Sequence, residues 1–247
     1  MIRIAITRAH GSTPREAGAT MVVTPTGTQG TIGGGQLEYM AIDRARQMLA
    51  RGETEAAMNV PLGPEIGQCC GGRVELALTR IAAMPAMPEH PLVLIFGAGH
   101  VGRALGRALS LLPLRPVVID QRATELALVH GETRLTPLPE DEIRRAPHGT
   151  SHIILTHDHA LDFLLAAEAL RRPDAPYVGM IGSRTKLAQF RRFAAAQGVA
   201  TDRLTCPIGA GWSPDKRPEI IAAFTAAELI GRLTQPASSL KKHPCDS

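Results

Sequence analysis

Apolar and polar positions alternate over residues 3–7 and again over 20–24, the period-two spacing of half-buried strands. A glycine cluster, Gly33-Gly34-Gly35, follows. From residue 36 to residue 50 the apolar period changes to that of a helix, placing Leu37, Met40, Ala41, Met48 and Leu49 near one face. A loop rich in Gly and Pro then carries the adjacent Cys69 and Cys70, and residues 74–81 read as a closing strand. These elements predict a small N-terminal α/β domain with glycine-rich loops over residues 1–84.

Regular patterning stops in IAAMPAMPEHP at residues 81–91, where Pro85, Pro88 and Pro91 interrupt any helix or strand. This is a linker in composition. Beyond it, residues 92–96 form a short apolar strand pattern that runs into GAGHVG, with a helix predicted over 103–112 and a second strand over 116–120. Strand and helix patterns repeat at 152–156 and 161–171, then at 177–181 and 185–197, before a last helix over about 218–233. Pro218 and Glu219 both suit a helix start. Such alternation predicts a Rossmann-like, doubly wound parallel sheet over residues 91–235, followed by a disordered tail at 236–247.

Composition narrows the function classes. The chain has 247 residues, room for between one and two domains with a sizeable core. Aromatic residues make up only 3% and the formal net charge is only +4, which argues against stacking platforms or the dense basic stripe of a nucleic-acid binder. A small anionic ligand fits that charge better. No apolar run is long enough to cross a bilayer, and MIRIAITRAHGSTPR turns polar before a signal-peptide core is formed. A cytoplasmic protein with no membrane partner is expected. The four cysteines, Cys69, Cys70, Cys206 and Cys245, match neither a zinc module nor a disulfide framework. Free thiols are expected in a reducing compartment.

Gly97-Ala98-Gly99-His100-Val101-Gly102 follows a strand pattern, precedes a helix and is trailed by Asp120 at the next strand end. That is the context in which helix amides bind a phosphate, with Asp120 accepting from ribose hydroxyls or from the amino groups of another heterocycle. Its plainer reading is a turn that packs helix on sheet. Cys69 and Cys70, flanked by glycines, are open either to soft-metal or redox use or to an incidental thiol pair. Cys206, before Pro207, reads as packing, and Cys245 as an exposed tail residue. His157-Asp158-His159 suits a divalent metal or, better, a helix cap, because no further ligand-like spacing accompanies it. Ser183 and Arg184 read equally as an anion contact and as a cap plus a solvated Arg. Ser12 and Arg15 lie in a segment that a plain turn explains. No nucleophile elbow, Walker loop or paired-carboxylate motif is present in the sequence.

Taken in order, the segments resemble the xanthine dehydrogenase accessory protein family, the XdhC-type molybdenum-cofactor insertion proteins. The matching stretches are GSTPREAGATMVV at 11–23, GTIGGGQLEYMAIDRAR at 30–46, GQCCGGRVEL at 67–76 and FGAGHVGRAL at 96–105. They continue through THDHALD at 156–162, YVGMIGSRTK at 177–186 and CPIG at 206–209. The resemblance implies a non-catalytic chaperone, a homodimer, that binds molybdenum cofactor (molybdopterin) and protects it during sulfuration. It further implies delivery to apo-xanthine dehydrogenase or a related molybdenum hydroxylase, with a cysteine-desulfurase-type protein as sulfurating partner. By the same resemblance Cys70 is the metal contact, with Cys69 beside it, and Gly97, Gly99, His100 and Gly102 form the pterin-phosphate side, with Asp120 toward the heterocycle. The alternative from another class is an NAD(P)-dependent oxidoreductase using the same glycine loop with Asp120 on the ribose. It lacks a recognisable hydride-site acid or base.

Overall fold

The computed structural model describes residues 1–64, 71–86, 89–210 and 213–234. Its contacts divide into two compact units, Met1–Pro88 and Glu89–Ser247. The first is built from β1 (Ile2–His10), β2 (Thr20–Val23), β3 (Thr28–Gly30), α1 (Gly35–Arg51), β4 (Glu55–Pro61) and β5 (Arg73–Arg80). Its sheet is antiparallel throughout, in the order β3-β2-β1-β5-β4. One face is apolar because alternate residues agree in type: Ile2, Ile4 and Ile6 on β1 and Val74, Leu76 and Leu78 on β5 are all buried. Helix α1 covers that face with Leu37, Ala41, Ala45 and Met48. Met40 and Leu49, expected near that face, are partly buried against it, and Ala45, which was not among the expected residues, is fully buried.

The second unit runs β6 (Leu92–Phe96), α2 (His100–Leu109), β7 (Arg115–Asp120), α3 (Ala123–Leu126), β8 (Glu132–Leu135) and α4 (Pro139–Arg144). It continues with β9 (Ser151–Ile154), α5 (His159–Leu170), β10 (Val178–Met180), α6 (Arg184–Ala196), β11 (Leu204–Thr205) and α7 (Pro218–Thr234). All pairings are parallel, in the order β11-β10-β9-β6-β7-β8. The chain leaves β6 toward one edge and returns to fill the other, which creates a crevice at the carboxyl ends of β6 and β9. Each face has its own core. Val93, Ile95 and Val118 meet Leu105 and Leu109 of α2 and Ala222 and Leu229 of α7, while Leu94, Phe96 and Ile154 meet Leu165 of α5 and Phe190 of α6. This is the doubly wound α/β arrangement read from the sequence. Helix α2 begins at His100, three residues before the expected position, so that the glycine loop feeds directly into its first turn. The tail expected at 236–247 lies outside the described residues.

Candidate functional site

Strand β6 ends in the glycine loop, and each glycine there has a different reason. Gly97 has φ +120° and no room for a Cβ beside the Leu155 carbonyl. A Cβ on Gly102 would run into the Gly97 carbonyl. Gly99 differs, because a Cβ on it would meet nothing within 4 Å. It is the N-cap of α2, and among the described residues no side chain caps the helix there. The positive end of the helix lies behind this start. His100, exposed, is the first residue of that turn.

The neighbouring helix starts are closed by their own side chains. Asp158 accepts from the amides of Ala160 at 2.8 Å and Leu161 at 3.4 Å at the start of α5, and Ser183 accepts from Lys186 N at 3.2 Å at the start of α6. Asp158 and Ser183 are thus caps. Among the described residues no group of three or more His, Cys, Asp or Glu stands ready to hold a metal. The Gly33-Gly34-Gly35 cluster is likewise occupied from within: Glu38 folds back to accept from the amides of Ile32 and Gly34 at 2.9 Å each and of Gly33 at 3.3 Å. Burial opposes its ionisation, but the Thr31 hydroxyl and those amides draw its carboxyl below the ordinary range.

Asp120 closes the loop from β7. Its Oδ2 accepts from Ala98 N at 2.7 Å and from Arg122 Nη2 at 2.9 Å, and its Oδ1 accepts from Arg122 N and Nε at 2.9 Å each. Four donors fill the four acceptor positions of a carboxylate. The side chain thus acts as the anchor of Ala98 and holds the Arg122 guanidinium. Burial alone would raise its carboxyl, but the Arg122 and Ala98 hydrogen bonds hold it down to about 2. Arg103 braces the same loop, donating to the Ala98 carbonyl at 2.8 Å and to Glu125 at 2.7 Å. A crevice opens beside the loop, walled by Gly97, Asp120, Gln121, Thr156 and His157.

In the first unit, a groove is lined by His10, Gly11, Pro61, Gly71 and Arg73. The hydrogen bonds Leu62 N to Gly72 O, 2.8 Å, and Gly71 N to Leu62 O, 2.9 Å, pin both flanks of the loop that carries Cys69 and Cys70. The two cysteines lie outside the described residues, as does Cys245. Cys206 is part-buried against the core of the second unit. Sequence reasoning passed over Arg103, Arg122 and a buried pair, Asp162 and Lys186. For the pair, the available signal was one carboxylate in the otherwise apolar run ALDFLLAA.

A model of the XdhC Rossmann domain matches residues 93–229, and one of the XdhC and CoxI family matches residues 2–60. The chain belongs to the XdhC family. Among its relatives is the uncharacterized protein YqeB of Escherichia coli (strain K12), 26% identical over 256 residues that take in 97% of this chain and 45% of YqeB. The chain thus spans less than half the length of that curated relative. Among solved structures, one described as a xanthine dehydrogenase from Bacillus halodurans superposes with a TM-score of 0.78 at 18% identity, covering 97% of this chain and 94% of the other. At that identity the likeness is one of fold. For this XdhC-family chain, no described helix is long and apolar enough to cross a membrane.

Proposed function

We propose that this XdhC-family chain is an accessory protein that binds molybdenum cofactor, protects it during sulfuration and passes it to xanthine dehydrogenase or a related molybdenum hydroxylase, without turning over a substrate of its own. The observation that carries this reading is the uncapped start of α2 at Gly99, where a Cβ would meet nothing within 4 Å, in a member of this family. The residues present fit the anionic end of molybdopterin: the α2 amides would hold its phosphate, with His100 beside them. Asp120, on the crevice wall, would meet the heterocycle through the Arg122 guanidinium that it holds. The Cys70 thiolate, with Cys69 beside it, is the proposed metal contact, since thiolates suit soft metal centres. When bound, the cofactor carries the redox-active molybdenum that the recipient enzyme needs. An NAD(P)-dependent oxidoreductase gains no support from Asp120, whose acceptor positions are all in use.

The deciding experiment is pterin and molybdenum analysis of the protein purified from cells that make the cofactor, with a pull-down of apo-xanthine dehydrogenase and of a cysteine-desulfurase-type partner. Oxidised, fluorescent pterin in near-stoichiometric amount is expected, with molybdenum retention reduced in Cys70→Ala. Wild-type protein free of pterin overturns the function, and unchanged molybdenum in Cys70→Ala overturns the thiol assignment.

A further inference from the structure

Behind the crevice wall lies a charged cluster that the proposed binding does not use. Asp162 on α5 is fully buried at 0% exposure, and Lys186 on α6 is 7% exposed. The Lys186 ammonium donates to Asp162 Oδ2. The other oxygen, Oδ1, accepts from Thr156 N at 2.9 Å and from Thr156 Oγ1 at 2.7 Å. Thr156 Oγ1 in turn accepts from Asp158 N at 3.2 Å. The carboxylate therefore ties down the turn 156–158, whose middle residue, His157, lies on the crevice wall.

A buried ion pair is a weak way to stabilise a core, because desolvation consumes much of the attraction and apolar side chains of the same volume serve as well. What this pair supplies is geometry. Backbone at the mouth of the crevice is hydrogen-bonded to a buried Asp162 side chain whose other oxygen faces the Lys186 ammonium. Gly182 keeps the path open, since a Cβ there would stand 2.9 Å from Lys186 Cδ and 3.4 Å from Cys206 Sγ. Burial pushes the Cys206 thiol up to about 11, and Asp162 adds to this against the pull of Lys186. A thiol held protonated is a poor nucleophile, so the cluster is suited to positioning and not to covalent chemistry.

We infer that Lys186 is a positioning residue for the ligand crevice, acting through Asp162 to hold the 156–158 turn and with it His157. The inference rests on the reading of that crevice as the ligand site. Its test is amide hydrogen exchange by NMR on the full chain, comparing wild type, Lys186→Met and the double variant Lys186→Met with Asp162→Asn. The asparagine keeps an acceptor for Thr156 while removing the unpaired charge. In Lys186→Met, exchange at Thr156 is expected to accelerate about tenfold or more relative to the β9 amides of Ile153 and Ile154, with co-purified pterin reduced. The double variant should return both toward wild type. Uniform acceleration of all three amides without restoration, or collapse of both variants, would show a pair that serves the whole fold and would overturn the inference. So would a loosened Thr156 with undiminished pterin. Wild-type protein devoid of pterin defeats the proposed function instead, and leaves the exchange result standing as a statement about the turn.

Discussion

His152 lies on interior strand β9 at 0% exposure, and neither ring nitrogen has a hydrogen-bond partner among the described residues. Its ring stacks near Phe96, 6.4 Å between centroids. Burial, helped by the Arg172 guanidinium and opposed by Asp174, pushes its pKa from 6.5 down to about 4. Between those values the unfolded chain carries the proton and the folded chain does not, so acidification favours unfolding. From about pH 8 to about pH 5 this group alone should remove about 2 kcal/mol of stability. His152→Leu should abolish that loss, as urea unfolding at the two pH values would reveal; an unchanged acid sensitivity in the variant would place its origin elsewhere. The histidine was invisible in sequence, because a lone polar residue in an apolar strand run gives no sign of whether it is partnered. Asp120 shows the converse. Its position was legible from the spacing after the glycines, but its occupation by Arg122 depends on two side chains folding onto one another.

At the scale of elements, the start of α2 combines glycines that keep the fold with one that leaves space. Gly102→Ala should destabilise the second unit by several kcal/mol, because the new methyl meets the Gly97 carbonyl in backbone that cannot retreat. Gly99→Ala should leave the thermal midpoint near that of wild type, yet crowd the approach of a phosphate and lower retained pterin. Equal retention in Gly99→Ala and wild type would remove the α2 amides from the binding site. The strands β1, β2, β5, β6, β7, β9 and β10 were legible because their apolar spacing is set by a buried face. Those that escaped notice are edge strands or lie next to loops. β8 reads ETRL and is mostly exposed, β3 is three exposed residues, and β11 is only two half-buried ones. β4, EAAMNVP, is depleted of strand formers and is held by its register with β5. Short α3 and α4 likewise carry too few residues for a helical period to emerge.

For the molecule as a whole, each buried cluster draws its residues from a single unit. The Glu89–Ser247 unit, expressed by itself, should therefore unfold cooperatively and keep the acid sensitivity assigned to His152, as circular dichroism melts would check. A non-cooperative melt would show that its core is incomplete without the first unit. Two-unit organisation was readable from the proline-rich stretch and from the change in hydrophobic period, whereas the antiparallel order of the first sheet was not, since strand direction leaves no mark in alternation. One pairing has a consequence in time. Helix α2, which carries the glycine cradle, packs against α7, with Leu105 and Leu109 meeting Ala222, Ala226 and Leu229. On a ribosome adding on the order of ten residues per second, the cradle emerges on the order of ten seconds before the helix that buttresses it. The glycine loop is thus made well before its buttress, and this face of the parallel sheet can close only once α7 has been synthesised.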